Sequence, residues 1–358
     1  MPKNKLTEYS ATNASNTDVG GVNIDEGMLP SAVNNSIREL MTHLKNFSDG
    51  TDGIDVLSLA DDDASAAMKL QAPASVTSDT TLTLPDGDGE DGQALITNGS
   101  GTLAWAYPYG NRNLIINGAV NVNQRNADNT SNDTFGPDRY RLQFSGGGTT
   151  MSQEDMTSSD TPYSSGFRNF LRIKNTTTAS GAGDYRQITY RLEAQDIANS
   201  GWDYTSTSAY MTVSFWVRSS VAGKFYFTLE TGASGDKYYG FSETLVADTW
   251  KKVEHSVPGN STLTFANSNA RGLGFIVRGW LGTNYTDSGF TEDTWGSFSL
   301  SSLAGDDLAN WAGTTNSTLD VVGLQMEVGS QATPFEHRSF GDELARCQRY
   351  FQFEPFSV

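Results

Sequence analysis

The sequence predicts a mainly-β protein: an antiparallel, jelly-roll-like β-sandwich preceded by a small β knob and by an N-terminal extended arm plus helix. Three observations predict it. Apolar and polar residues alternate over many short segments between residues 111 and 338, with no helical periodicity between them. Glycine reaches 36 of 358 residues, and charged residues make up only 18%, below the roughly 25% of ordinary soluble domains. One clear helical stripe stands within the first fifty residues.

In order along the chain, that helix comes first. Val33, Ile37, Leu40, Met41 and Leu44 recur at i, i+4, i+7, i+8 and i+11, which gathers them on one stripe. Arg38, Glu39, Lys45 and the run Asn34-Asn35-Ser36 occupy the other face. Pro30 suits the first turn, and Ser48-Asp49-Gly50 marks the stop. Such a helix is marginal alone in water, so it is expected to pack on copies of itself or on a partner. The polar stretch from Ser10 to Gly27 before it has no core of its own. It either orders by wrapping a partner or stays a frayed arm.

Residues 51–110 read as a stem and β knob. Thr80 to Pro85 alternates, a Gly87-to-Gly92 turn cluster follows, and Gln93–Thr97 and Leu103–Trp105 read as strands joined at Asn98-Gly99. Asp61-Asp62-Asp63 lacks the spaced ligands and glycine of a calcium loop and reads as a solvated acidic turn. With so few apolar side chains, oligomerisation is the economical source of stability for this zone.

From 111 to 338 the sandwich strands follow, among them Asn113–Ile116, Phe170–Ile173, Lys224–Leu229, Trp250–Val253, Leu273–Val277 and Leu319–Leu324. The clearest is Met211–Arg218, with Met211, Val213, Phe215 and Val217 on one face and Thr212, Ser214, Trp216 and Arg218 on the other. Trp216 is then either covered on the second face, by a neighbouring subunit for instance, or the floor of an aromatic groove. A short C-terminal helix and tail, 339–358, carries Leu344, Cys347 and Phe351 on one stripe, so Cys347 reads as a packing residue.

Charge and composition narrow the functions. Lys plus Arg total 24 against 42 acidic residues, a net charge of −18, which disfavours nucleic acid and anionic membrane. No apolar run approaches the ~18 residues of a spanning helix, so no membrane insertion is expected. The basic start lacks an apolar stretch behind it, so no secretory signal is read and synthesis in the cytoplasm is expected. A surface-type composition on a cytoplasmically made chain is reconciled by a virion component. One cysteine excludes an intrachain disulfide framework, and His43, His255 and His337 lie too far apart to suggest a zinc or catalytic cluster. No metal and no cofactor is expected.

Catalytic motifs are not found. There is no P-loop: Gly232 to Lys237 is too short and reads as a hairpin loop. No nucleophile elbow occurs, and carboxylate pairs such as Glu154-Asp155, Glu292-Asp293 and Asp306-Asp307 are expected by chance among 42. The chain is therefore read as no enzyme, with no catalytic residues. Tyr238, Tyr239, Trp280, Tyr285, Trp295 and Trp311 lie in or beside Gly/Ser/Asn/Asp-rich loops. They are candidates for stacking on sugar faces; the alternative is that they cover strand edges or subunit interfaces.

Three segments carry a resemblance. Tyr9 through Gly27 followed by Pro30 through Met41 resembles the opening of tailed-bacteriophage tail fibre proteins. Gly92 through Trp105 resembles the small β knob that follows in such fibres. Gly323–Gly329, Ala332–Arg338 and Glu343–Tyr350, together with Phe215–Ser220, are similar to the end of a carbohydrate-binding-module-like sandwich of phage tail proteins.

The resemblance implies a homotrimeric virion fibre made in the host cytoplasm. Residues 1–50, through the Val33/Ile37/Leu40/Met41/Leu44 stripe, would dock on tail adaptor or nozzle proteins. The distal sandwiches would meet a host-surface glycan or protein receptor. Family members often continue into further receptor-binding modules; here only eight residues follow Tyr350, so the sandwich or an attached protein is expected to supply the tip. A polysaccharide-degrading tail spike and a connector carrying a separate receptor-binding protein are the alternatives.

Overall fold

Two units make up the chain, Met1–Thr81 and Leu82–Val358. The structure, a computed structural model, describes residues 3–10, 12, 15–25, 27–48, 56–60, 67–71, 81–89, 94–97, 101–106, 112–126, 128–232 and 236–353. The acidic run at 61–63, the Asn98-Gly99 turn and the Asp49-Gly50 stop lie outside the described residues.

In the first unit, β1 (Asp18–Val19) and β2 (Val22–Asn23) form a minimal antiparallel hairpin. Gly20 and Gly21 both take positive φ, +57° and +81°, as a tight two-residue hairpin turn requires. Helix α1 spans Pro30–Ser48, with proline at its first position. The arm packs on this helix, a third outcome beside wrapping a partner or fraying. It does so on the polar face: Ser36 and His43 are the buried helix residues. The Tyr9 hydroxyl meets His43 Nδ1 at 2.6 Å, and Gly20 lies against Glu39, where a Cβ would come within 2.9 Å of the carboxylate. Strands β3 (Val56–Ala60) and β4 (Ala67–Gln71) pair antiparallel.

The second unit begins with the knob hairpin, β5 (Ala94–Thr97) and β6 (Leu103–Ala106), whose Trp105 indole N–H donates to Gly87 O at 3.0 Å. The sandwich follows: β7 (Thr134–Phe135), β8 (Arg141–Ser145), β9 (Thr149–Asp155), β10 (Asn169–Asn175), β11 (Tyr185–Glu193), the short helix α2 (Ala194–Ala198) and β12 (Tyr210–Ser219). It continues with β13 (Gly223–Thr231), β14 (Lys237–Leu245), β15 (Lys251–Pro258), β16 (Arg271–Leu281), β17 (Gly296–Ser297), β18 (Thr318–Val328) and helix α3 (Phe340–Gln348). One sheet orders β15-β12-β18-β10-β9 and the other β17-β14-β13-β16-β11-β8-β7, with antiparallel neighbours throughout. The mainly-β, antiparallel sandwich expected from alternation is the fold.

Alternation explains the core. Met211, Val213, Phe215 and Val217 on β12 face Phe225, Phe227 and Leu229 on β13 and Phe275 and Val277 on β16, all buried in one cluster. Phe215 sets its ring 4.8 Å from Phe227 and 5.4 Å from Phe275, spacings at which aromatic pairs attract beyond area burial. Gly323 on β18 sits where β12 slips register, between Ser214 and Trp216. Its φ is +70°, and a Cβ there would lie 2.6 Å from the Phe167 ring, so glycine is required twice over. Trp216 is half-buried and packs against the main core.

Strand β18 is buried along both faces because the chain covers its outer side. Leu114 N–H donates to Met326 O at 2.9 Å. Glu327 accepts from Thr333 N–H at 2.8 Å, and Glu336 N–H donates to Gln325 Oε1 at 2.8 Å. The C-terminal helix belongs to the same unit: Ser339 caps α3, and the buried Glu343 accepts from Asn117 N–H at 2.6 Å. Cys347 is buried, and burial pushes its thiol up to about 12, which makes it an inert packing residue.

Candidate functional site

The six sequence-selected aromatics do not assemble into one platform. Tyr238 and Tyr239 are consecutive strand residues, so they point to opposite faces, and both are buried. Tyr239 enters the main core; Tyr238 lies in a second apolar cluster and donates its hydroxyl to Leu303 O. Trp311 is fully buried, its indole N–H held by Thr318 O at 3.0 Å. These three are corrected from glycan contacts to packing residues: a ring without an open face has no surface to stack. Trp295 is half-buried against Tyr239 and donates to Pro258 O at 2.7 Å. Trp280 is half-buried against the main core, and Tyr285 stands edge-on to Tyr185 at 5.8 Å.

What the fold does assemble is the outer face of the seven-stranded sheet. Paired residues across antiparallel strands share a face, so three rows can be read from the register. One is Arg191–Gly274–Glu230, the next Arg141–Thr189–Ile276–Thr228, the third Gln143–Gln187–Arg278–Tyr226. The segment between β16 and β18 covers one part of this face. There Leu303, Ala304, Leu308, Phe290 and Tyr285 pack over Tyr226, Tyr238 and Leu281.

At the edge of the covered part, Lys224 Nζ binds Glu292 at 2.7 Å and Asp307 at 3.0 Å, and Tyr226 donates to Asp307 at 2.6 Å. The bonds from Tyr226 and then Lys224 lower the Asp307 pKa. At Glu292, burial alone would raise it, but bonds from Lys224 and Ser242 outweigh burial and the pKa falls. Both carboxylates are therefore held ionised.

The remaining part is polar, with Arg191 exposed, Gln143 and Gln187 half-buried, and Thr189 and Arg278 buried among them. Gln143 Oε1 accepts from Gln187 at 3.1 Å and from Thr189 at 2.7 Å, while its amide donates to Asp133 at 2.9 Å. Arg141 pairs with Asp133, Arg278 with Glu230 at 2.5 Å and with Gln187, and Arg271 with Asp236 at 3.3 Å. Arg191 is exposed, and partial burial followed by the charges of Arg141 and Arg271 lowers its pKa. Among the described residues, no group of three His, Cys, Asp or Glu side chains is placed to hold a metal ion.

No protein-family model and no curated protein matches the chain in sequence. Several solved structures are similar in fold at low level. The enzymatically active domain of tailspike protein 4 of bacteriophage CBA120 is 8% identical with a TM-score of 0.32; the match covers 61% of this chain and 22% of that one. A putative sugar-binding protein from Bacteroides thetaiotaomicron is 9% identical with a TM-score of 0.32, covering 61% of this chain and all of that one. A structure described as a family-4 carbohydrate-binding module is 9% identical with a TM-score of 0.31, covering 60% and 98%.

Sequence reasoning missed the polar face because it searched for aromatics in loops. A signal was present: Gln187, Thr189 and Arg191 are polar at every second position of a strand whose alternate residues, Ile188, Tyr190 and Leu192, are core. The helix stripe, by contrast, lies where expected. Val33, Ile37, Leu40, Met41 and Leu44 are all exposed, from 39% at Leu40 to 64% at Met41.

Proposed function

We propose that the protein is a structural and adhesive, non-catalytic virion component: a homotrimeric tail fibre, made in the host cytoplasm. Residues 1–50 dock it on tail adaptor or nozzle proteins, and the sandwich meets saccharide on the host surface. The observation that carries this reading is the outward apolar stripe of α1. Five large apolar side chains, each roughly half exposed, forgo about 1 kcal/mol apiece of burial free energy until another chain covers them. The sequence resemblance implies a tail protein as the covering chain, with further copies of this one as the alternative.

For the distal end, support comes from the outer sheet face, where the half-buried amides of Gln143 and Gln187 and the exposed Arg191 lie at the spacing of a pleated sheet. Such a set bonds sugar hydroxyls without aromatic stacking. Three copies on one fibre raise avidity without strong single sites. Glu292 and Asp307 do not form the acid of a glycosidase pair: glycoside hydrolysis needs one carboxyl kept protonated near neutral pH, and both of theirs have lowered pKa values.

Adsorption tests the reading. Purified full-length protein added to host cells before phage should block adsorption and release no reducing ends from the cell envelope. Released reducing ends would make it a degrading spike; protein that never binds cells would make it a connector.

A further inference from the structure

The proposed glycan face carries a charge feature that a neutral sugar does not need. In a chain with an excess of 18 acidic residues, Arg141, Arg191 and Arg271 come near enough that the first and third lower the pKa of the second. The carboxylates around them are already engaged: Asp133 with Arg141 and Gln143, Glu230 with Arg278, and Asp236 with Arg271. Arg191 is exposed, its carbonyl accepts from Arg139, and among the described residues its guanidinium makes no hydrogen bond or ion pair, with Asp133 and Glu230 acting on it only through their charge. Beside it in the register is Gly274, where an added Cβ would meet no atom closer than 3.6 Å, so the floor next to Arg191 lacks a side chain and has room for a ligand group.

Guanidiniums match carboxylates in both geometry and charge, with two parallel N–H···O bonds.

We propose that this face selects carboxylated saccharides, with Arg191, flanked by Arg141 and Arg271 over Gly274, anchoring the carboxylate. The half-buried Gln143 and Gln187 bond the neighbouring hydroxyls, and the buried Thr189 holds Gln143 in place from beneath. The inference rests on the glycan-binding reading and narrows it to acidic sugars, either uronates or nonulosonates. Long-range repulsion from the acidic surface is screened beyond about 8 Å at physiological salt, so the local pairing governs contact.

The test is affinity electrophoresis of the full-length protein in gels containing polygalacturonate, polysialic acid, methyl-esterified polygalacturonate or dextran. Retardation by one acidic polymer, with at least a tenfold weaker effect of its neutral counterpart, is expected, and which acidic polymer retards separates uronate from nonulosonate. Arg191→Gln should weaken that retardation at least tenfold with an unchanged melting temperature, and Arg191→Lys should restore part of it. Equal retardation of Arg191→Gln and the parent protein overturns the inference. Retardation by dextran or the methyl ester equal to that by the acids also overturns it, leaving a neutral-glycan face. Retardation by none of the four overturns both the inference and the glycan reading.

Discussion

On β12 the covered apolar side chains are Met211, Val213, Phe215 and Val217, whereas on α1 the buried residues are Ser36 and His43, with Met41 and Ile37 facing out. Both segments are amphipathic in sequence, so the difference lies in which face the rest of the unit covers. The sandwich is complete within one chain: two sheets supply each other's apolar partners. The arm that covers α1 is polar, and its Tyr9 and Glu39-facing Gly20 match only the polar side of the helix. On the proposed reading, this amphipathic helix packed by its polar face supplies one side of an interface.

Mutations sharpen this contrast, most strongly in the sandwich. Phe227→Ala removes a fully buried ring with two aromatic neighbours within 5.5 Å and is expected to destabilise the fold by about 3–5 kcal/mol, measured by urea denaturation. Acidification should follow next, because the sandwich also holds a strongly bonded carboxylate, Asp160. At Asp160 burial opposes ionisation, but bonds from Trp250 and Thr157 and the charge of Arg218 outweigh it and bring the pKa to about 2. A folded-state pKa below the unfolded one contributes stability above the unfolded value and loses it as pH falls. The melting temperature should therefore drop between pH ~4 and ~2, and Asp160→Asn should flatten that drop.

His255 gives a smaller effect at milder pH. It is stacked on Phe241 at 3.9 Å, and burial lowers its pKa despite Asp293 nearby. The unfolded chain then takes up the proton first, so stability falls as pH drops below ~6.5. His255→Gln should remove that step from a thermal-melt pH profile. Smallest of all, Ile37→Ser on the stripe should change the unfolding free energy of a separated chain by no more than about 0.5 kcal/mol, while abolishing assembly. A loss of stability as large as that of Phe227→Ala would mean that the stripe is covered within its own chain.

The sandwich was legible because a strand with one face in an apolar core carries an apolar residue at every second position, as Met211–Val217 does, even though Thr212 and Ser214 on its other face are buried as well. The α1 stripe was legible by the same logic at a period of 3.6. Three things were not. The arm's packing was hidden because the Tyr9–His43 bond joins polar residues 34 apart, with no periodic signature. The burial of Tyr238, Tyr239 and Trp311 was hidden because loop composition says nothing about what folds over a ring: the segment between β16 and β18 covers Tyr238, while Tyr239 and Trp311 enter the main core. The polar sheet face emerges only when the register sets β8, β11, β16 and β13 side by side.

The most direct test of the central claim, that the apolar face of α1 is an inter-chain surface, is the mass of the full-length protein by light scattering. The account predicts about 116 kDa, three times the 38.7 kDa of one chain, falling to 38.7 kDa in the Ile37→Ser/Met41→Ser variant. A parent protein that stays at 38.7 kDa across concentration, with α1 as protected from hydrogen exchange as the sandwich strands, would contradict it.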